Sequence, residues 1–506
     1  MGSLAQNTIL LTLAKFFSVA IYAFFGLVLP RYVRVDENGV YALMVTLQFF
    51  GSMIGSFGIP LVVTREVARR PAEAAGMWAN GRAAMLLGSA LSMALMTAWL
   101  GWETWQAPAD AARKWWLYGA VTLIVFLDAL GSLGDAMFQG FERMTRPALI
   151  EIVTGGLRAG GAVLSMVLLP PEWRLEGIFG CFLLGSFSRW ALINRLVRRE
   201  LLADAVPVAA SLRAALTLIR ASGFIALFRI LRVVRNRLDL LLLGVLIAGF
   251  STAANPDDAR GLYAQGIRLA IVFHTITLAF STALWPRFAR WTADGQDLSP
   301  LREPYARAVR WQAWWATPMA GGLIFYAIPV CAWFGGNYVH GMPEVLLAST
   351  AAVLPFLLVA TYLDCIGGPV GMVMMGVPRL ERMIPWIGGV LAGSSILLNL
   401  FLIPRYGILG AAYSAAAAAS LEFLLKMVIV GRVLGHPLRI LAGTLPYLLL
   451  AALMLAGLWL LGWQERPILG ALAGGAFYLG ACLLFGLTDP AVMKILNRLR
   501  GGARSA

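Results

Sequence analysis

Residues 440–462 read ILAGTLPYLLLAALMLAGLWLLG and, after Trp463-Gln464-Glu465-Arg466-Pro467, residues 468–487 read ILGALAGGAFYLGACLLFGL. Neither run carries a charged side chain. About twenty apolar residues is the length at which a helix crosses the roughly 30 Å hydrocarbon core of a bilayer. A strand at that depth has to close into a barrel, and its sequence alternates over about ten residues. These runs are continuous, so they predict membrane-spanning helices.

Upstream, the same reading predicts spans at 8–30, 39–62, 79–100, 115–138, 147–169, 177–194, 222–250, 261–284, 311–334, 344–366, 384–403 and 408–430, about fourteen in all. Turn signals separate them, among them Pro170-Pro171, Gly335-Gly336-Asn337 and Pro404-Arg405-Tyr406-Gly407. Of the 506 residues 59% are hydrophobic and 13% charged, where a soluble chain has about 25% charged. The two longest connections, 195–221 and 285–310, are too short for a folded soluble domain.

The net charge of +15 does not imply nucleic acid, because the basic residues lie between or inside the apolar runs. With the N-terminus in the cytoplasm, the inner loops hold roughly twenty-two basic residues and the outer loops about eight, the bias that orients membrane proteins. Both termini are therefore expected inside. Cys181, Cys331, Cys365 and Cys482 fall within spans without metal-ligand spacing and are expected to be small buried groups. No metal or cofactor is expected. The first run lacks a basic leader and a cleavage site, so it is expected to be retained.

A shift of 222 residues superposes Gly39-Val40-Tyr41-Ala42 on Gly261-Leu262-Tyr263-Ala264, Arg65 on Arg287 and Lys15 on Arg237. Six spans repeated in one orientation imply two lobes related by an axis along the membrane normal. The expected fold class is an all-α polytopic membrane protein: two six-helix lobes related by a pseudo-two-fold, 1–200 and 201–435, and 436–506 with two additional spans and a tail.

A charge within a span costs several kcal/mol and normally faces a protein interior or a watery cavity. In the seventh span Arg229, Arg232, Arg235, Asn236 and Asp239 share about a third of the helix circumference, and Arg235 and Asp239, at i and i+4, are expected to pair. Asp128, Ser132, Asp135 and Gln139 line one face of the fourth span; Glu151, Thr154, Arg158 and Ser165 line one of the fifth. Five arginines (Arg158, Arg229, Arg232, Arg235, Arg268) and Lys15 are the candidate substrate contacts, since guanidinium groups grip phosphates bidentately. Asp128, Asp135, Glu151, Asp239, His274 and Asp364 are the candidates for orienting those cations or titrating as ion-coupling groups. Asp364 precedes Cys365-Ile366-Gly367-Gly368-Pro369, where a break in the helix is expected. Glu422 and Lys426 read as a structural pair, and Trp115-Trp116 and Trp311…Trp314-Trp315 as interfacial belts.

Over nearly its whole length the chain resembles the polysaccharide-transporter branch, the Wzx-like oligosaccharide flippases, of the multidrug/oligosaccharidyl-lipid/polysaccharide (MOP) exporter superfamily. The segments that carry the resemblance are Asn7 to Lys15, Leu29-Pro30-Arg31…Gly39-Val40-Tyr41, Gly58-Ile59-Pro60…Arg65-Glu66…Arg69, Arg235-Asn236-Arg237-Leu238-Asp239, Pro286-Arg287-Phe288-Ala289-Arg290, and Pro404 through Ala411. Pro256-Asp257-Asp258 reads as an extension of an outer loop that is usually shorter. The resemblance implies a carrier in the bacterial cytoplasmic (inner) membrane, not an enzyme. Its cargo would be an undecaprenyl-pyrophosphate-linked oligosaccharide for O-antigen, capsule or exopolysaccharide synthesis, moved by ion-coupled alternating access. Its partners would be that lipid-linked oligosaccharide, membrane lipid, and a polysaccharide polymerase with chain-length machinery. The alternatives are a drug/cation antiporter or lipid II flippase of the same superfamily, and, in another class, a membrane glycosyltransferase or O-antigen polymerase.

Overall fold

Among the described residues Glu37 starts the first long helix: its carboxylate accepts a hydrogen bond from the Arg34 backbone N–H at 3.2 Å, so α1 (Val35–Ser56) begins four residues before the expected span. Phe57 and Gly58 then take left-handed φ values of 44° and 72°, and α2 (Ile59–Arg69) restarts behind Pro60. The single expected span 39–62 is thus two helices, because Phe57 and Gly58 turn the chain and Pro60 has no N–H to donate back to it.

The structure, a computed structural model, describes residues 25–106, 111–203, 206, 208–272, 301–345, 347–376, 380, 383–435 and 437–487. Lys15, His274 and the Pro286–Arg290 segment lie outside the described residues. The other long helices are α3 (Ala74–Gln106), α4 (Ala111–Gly140), α5 (Thr145–Leu168), α6 (Arg174–Leu196), α7 (Leu212–Leu246), α8 (256–272), α9 (Arg302–Phe325), α10 (Thr350–Gly376), α11 (Ile384–Tyr406), α12 (Ile408–Leu434), α13 (Leu445–Leu460) and α14 (Pro467–Leu484). Among the described residues there is no strand. Eight helical stretches are long and apolar enough to cross a membrane, and up to nine if the bent pair Leu212–Leu227 and Arg229–Gly249 counts as one span. The protein is a multi-pass, all-helical membrane protein.

Three expectations change here. α7 begins ten residues earlier than expected and bends by 48° between Leu227 and Arg229. α10 runs unbroken through Pro355 and Pro369 to Gly376, so Asp364 sits within a helix rather than beside a break. Proline inside a membrane helix is tolerated where neighbours and local adjustment satisfy the freed carbonyl. Pro256 opens α8 instead of lengthening a loop.

The chain divides into two compact units, Met1–Val245 with Asn255–Ala264, and Leu246–Ala254 with Gln265–Ala506. In the first, α4 packs against α1, α2, α3 and α6, and α5 against α6. One end is knitted by charge. Arg113 bridges Glu176 (2.5 Å) and Glu37 (3.3 Å), Lys114 meets Asp257 (3.1 Å), and Arg260 meets Glu103 (2.6 Å) and Asp257 (2.8 Å). The Tyr118 hydroxyl donates to the other oxygen of Glu103 at 2.5 Å. This cluster holds the start of α8 on the unit, and the repeat meets itself there. A Cβ on Gly39 would fall 1.7 Å from the Asp257 carbonyl oxygen, and one on Gly261 2.1 Å from that of Val35. The 222-residue shift interchanges these two approaches, as a local two-fold relation requires.

Asp258, beside this cluster, has its carboxyl pushed up to about 6 by burial and then by the charges of Asp36 and Asp257. Because the folded state holds that proton more tightly, its stabilising contribution is complete below the unfolded value of about 3.9 and is lost as the pH rises through about 6. Wild-type melting temperature should therefore fall, relative to Asp258→Asn, between pH 5 and pH 7.5. Parallel curves for the two proteins would contradict this.

In the second unit α12 packs against α10 and α11, and α9 against α10, around Tyr305, Val309, Ile366, Val370 and Phe423. α13 and α14 pack on each other and on α9. Tyrosine hydroxyls tie these helices, Tyr478 donating to the Trp314 carbonyl at mid-helix (2.9 Å), and Tyr447 to that of Leu487 (3.0 Å) and Tyr326 to that of Trp463 (3.1 Å) at the helix ends.

Candidate functional site

The polar stripes on α4 and α5 face each other and a third helix. Arg158 of α5 donates from Nη2 to Asp128 Oδ1 of α4 at 2.8 Å. Arg189 of α6 donates from Nε to Glu151 Oε2 at 2.9 Å and from Nη2 to Asp135. The four-residue steps Asp128–Ser132 and Arg189–Gly185 keep this chemistry on one face of each helix. The side chains are 12–29% exposed, largely enclosed by the helices. Within this set of five side chains, three carboxylates share two guanidiniums.

Gly185 makes the α5–α6 approach possible. A Cβ there would lie 2.3 Å from Arg158 Cγ, so the arginine stem runs over the bare backbone of α6 on its way to Asp128.

On α7 the stripe follows the bend. Arg229 is half-buried and Arg232 exposed. Among the described residues neither has a carboxylate partner, and the two guanidiniums repel each other. The expected Arg235–Asp239 pair does not form. Asp239 accepts instead from the Tyr263 hydroxyl of α8 (2.6 Å) and from the backbone N–H of Leu240 (2.9 Å), because a neutral tyrosine from a packed neighbour reaches it inside the bundle. Arg237, the repeat mate of Lys15, stacks its guanidinium 4.7 Å over the Phe49 ring of α1. Arg268, in the second unit, donates to Gln265 Oε1 at 3.2 Å. Asp364 lies on α10 of that unit, and Glu422 and Lys426 form the expected pair on α12.

Sequence reasoning missed Arg189, Glu103, Lys114, Arg113 and Arg260. Arg189 lies inside the predicted span 177–194, where the rule applied to the fourth and fifth spans would have found it. The others sit at span ends, where a charge reads as solvated; the structure buries Glu103, Lys114 and Arg260 and leaves Arg113 about a third exposed.

The chain matches the polysaccharide biosynthesis protein family over residues 4–292. A search of the curated protein sequences gives no match. Among solved structures, the lipid II flippase MurJ in an inward closed conformation is similar at TM-score 0.67 and 14% identity, covering 94% of this chain and 99% of that one. An inward-facing multidrug resistance MATE family transporter of the MOP superfamily is similar at 0.58 and 13%, covering 82% and 95%. A MOP superfamily transporter from Pyrococcus furiosus, described as having a binding pocket of reverse polarity, is similar at 0.53 and 12%, covering 84% and 96%. At such identities the likeness concerns the fold.

Proposed function

Because this chain belongs to the polysaccharide biosynthesis protein family and has the fold of MOP superfamily transporters, we propose that it flips an undecaprenyl-pyrophosphate-linked oligosaccharide across the bacterial inner membrane. The observation that carries this reading is the pair Arg229 and Arg232, two cations that have no carboxylate partner among the described residues and lie on the bent helix pair long enough to cross a membrane. An arginine at the bilayer centre costs about 2.5–3.5 kcal/mol even on the mildest scale. Two side by side are tenable in a hydrated chamber, and they offer a pyrophosphate two bidentate grips while the polyprenyl chain remains in lipid.

In this reading Arg235 adds to the same stripe. The carboxylates of the α4–α6 network, Asp128, Asp135 and Glu151, are the groups that a proton or monovalent cation neutralises during the cycle. Coupling requires that the two access states differ in affinity for that cation. No bond in the cargo is made or broken. A drug/cation antiporter is disfavoured by the cationic stripe, since a cationic drug would meet repulsion there.

The test is translocation of a fluorescent undecaprenyl-pyrophosphate glycan in proteoliposomes. Arg229→Ala/Arg232→Ala is expected to abolish it with the protein still inserted and folded. Transport at the wild-type rate by that variant would refute the reading, and transport of lipid II alone would narrow the cargo to a peptidoglycan precursor.

A further inference from the structure

The first unit carries cations at both of its ends. Helices that return on their predecessors put the connections 69–74, 140–145 and 196–212 at one end. Arg146 meets Glu200 there (3.5 Å), and the Ser211 N–H donates to Asn80 Oδ1 (2.9 Å). At the opposite end Arg113, Lys114 and Arg260 are all neutralised by carboxylates of the unit. At this end Glu66, Glu73 and Glu200 are already held by Arg65 and Arg69, Arg70, and Arg146. Arg82, Arg198, Arg213 and Arg220 have no carboxylate partner among the described residues. Arg82, half-buried, lies 5.8 Å from the Trp78 ring and is repelled by Arg198. Among the described residues these four cations are thus left for a negative charge from outside the unit.

The surroundings say what brings it. Arg213 and Arg220 sit on the first turns of α7, before the 48° bend, and Leu212 and Leu216 of the same turns are exposed at 64% and 42%. Arginines and bare leucines on one short helical stretch, at the end of an apolar bundle, match the boundary between headgroups and acyl chains. A soluble anion would satisfy the arginines and leave the leucines in water.

We propose that Arg82, Arg198, Arg213 and Arg220, with Leu212 and Leu216, bind the phosphate headgroups of anionic phospholipids in the leaflet that this end faces. The surface is separate from the Arg229–Arg232 stripe and does not depend on what the protein transports.

The test is native mass spectrometry of the full chain released from micelles containing equal phosphatidylglycerol and phosphatidylcholine. Wild type is expected to retain phosphatidylglycerol preferentially, and the preference should decline with added salt, an arm that needs no variant. Arg82→Gln/Arg198→Gln and Arg213→Gln/Arg220→Gln should each weaken it, by about fivefold per arginine removed. Arg229→Ala/Arg232→Ala should leave it intact. Equal retention of the two lipids by wild type would overturn the proposal, as would unchanged preference in both glutamine variants. Displacement of the lipid by millimolar inorganic pyrophosphate would reassign the surface to soluble anions. Parallel loss in the Arg229/Arg232 variant would make it part of the transport path.

Discussion

Replacing Arg260 by alanine is expected to destabilise the first unit by about 3–5 kcal/mol, the cost of leaving buried charges without their partner. The side chain is 1% exposed and bridges Glu103 and Asp257, both of which are also buried. The wild-type cluster of Glu103, Asp257, Lys114 and Arg260 sums to zero; without Arg260 one of its carboxylates is uncompensated, with the Tyr118 hydroxyl as Glu103's remaining close partner. Shape contributes as well. A Cβ on Gly244 would lie 1.8 Å from Arg260 Nη2, so α7 is bare where the guanidinium lies, and alanine at 260 opens a cavity there. Unfolding of wild type, Arg260→Ala and Glu103→Gln/Arg260→Met in bicelles separates the contributions. The double variant removes one charge of each sign and keeps the volume, so it should recover most of the loss. A loss below about 1 kcal/mol for Arg260→Ala would show that the cluster is hydrated and cheap to break.

That cluster also marks where sequence reading stops. The fold class followed from uncharged runs such as 440–462, because the bilayer punishes every unsatisfied polar group and leaves an unambiguous signature. The 222-residue shift pointed at Gly39 and Gly261, and the structure brings those two segments together, since each glycine answers a close backbone approach. Asp257 offered no such signal: a charge after a proline at a span boundary looks the same whether it faces water or a buried lysine. Helix phase placed Asp128 and Asp135 on one polar stripe and Glu151 and Arg158 on another, but it assigns a face and not a partner. Hence Asp239, in phase with Arg235, bonds to Tyr263 of another helix, and Arg189, never placed on a stripe, holds two of the carboxylates that were.

Arg189→Gln is expected to cost about 2–3 kcal/mol of stability and to reduce glycan translocation with it. The figure is lower than at Arg260 because Asp135 and Glu151 are 20% and 29% exposed and recover some hydration when the guanidinium is removed. Glutamine occupies part of the volume and donates one or two hydrogen bonds, so what it deletes is the charge. Asp135 of α4 and Glu151 of α5 then repel across the place Arg189 held, and the contact of α6 with both helices loosens. A double-mutant cycle isolates the effect. Glu151→Gln should cost little by itself, because Arg189 keeps Asp135, and in the Arg189→Gln background it should restore part of the stability. Coupling of about 1 kcal/mol or more between the two positions would establish the bridge; additivity within about 0.3–0.5 kcal/mol would mean that the three side chains do not act together. Translocation by the double variant carries the functional half of the argument. If the network only braces the bundle, regained stability brings regained transport. If its charge is what the driving ion neutralises, the protein folds and the glycan stays on its original side.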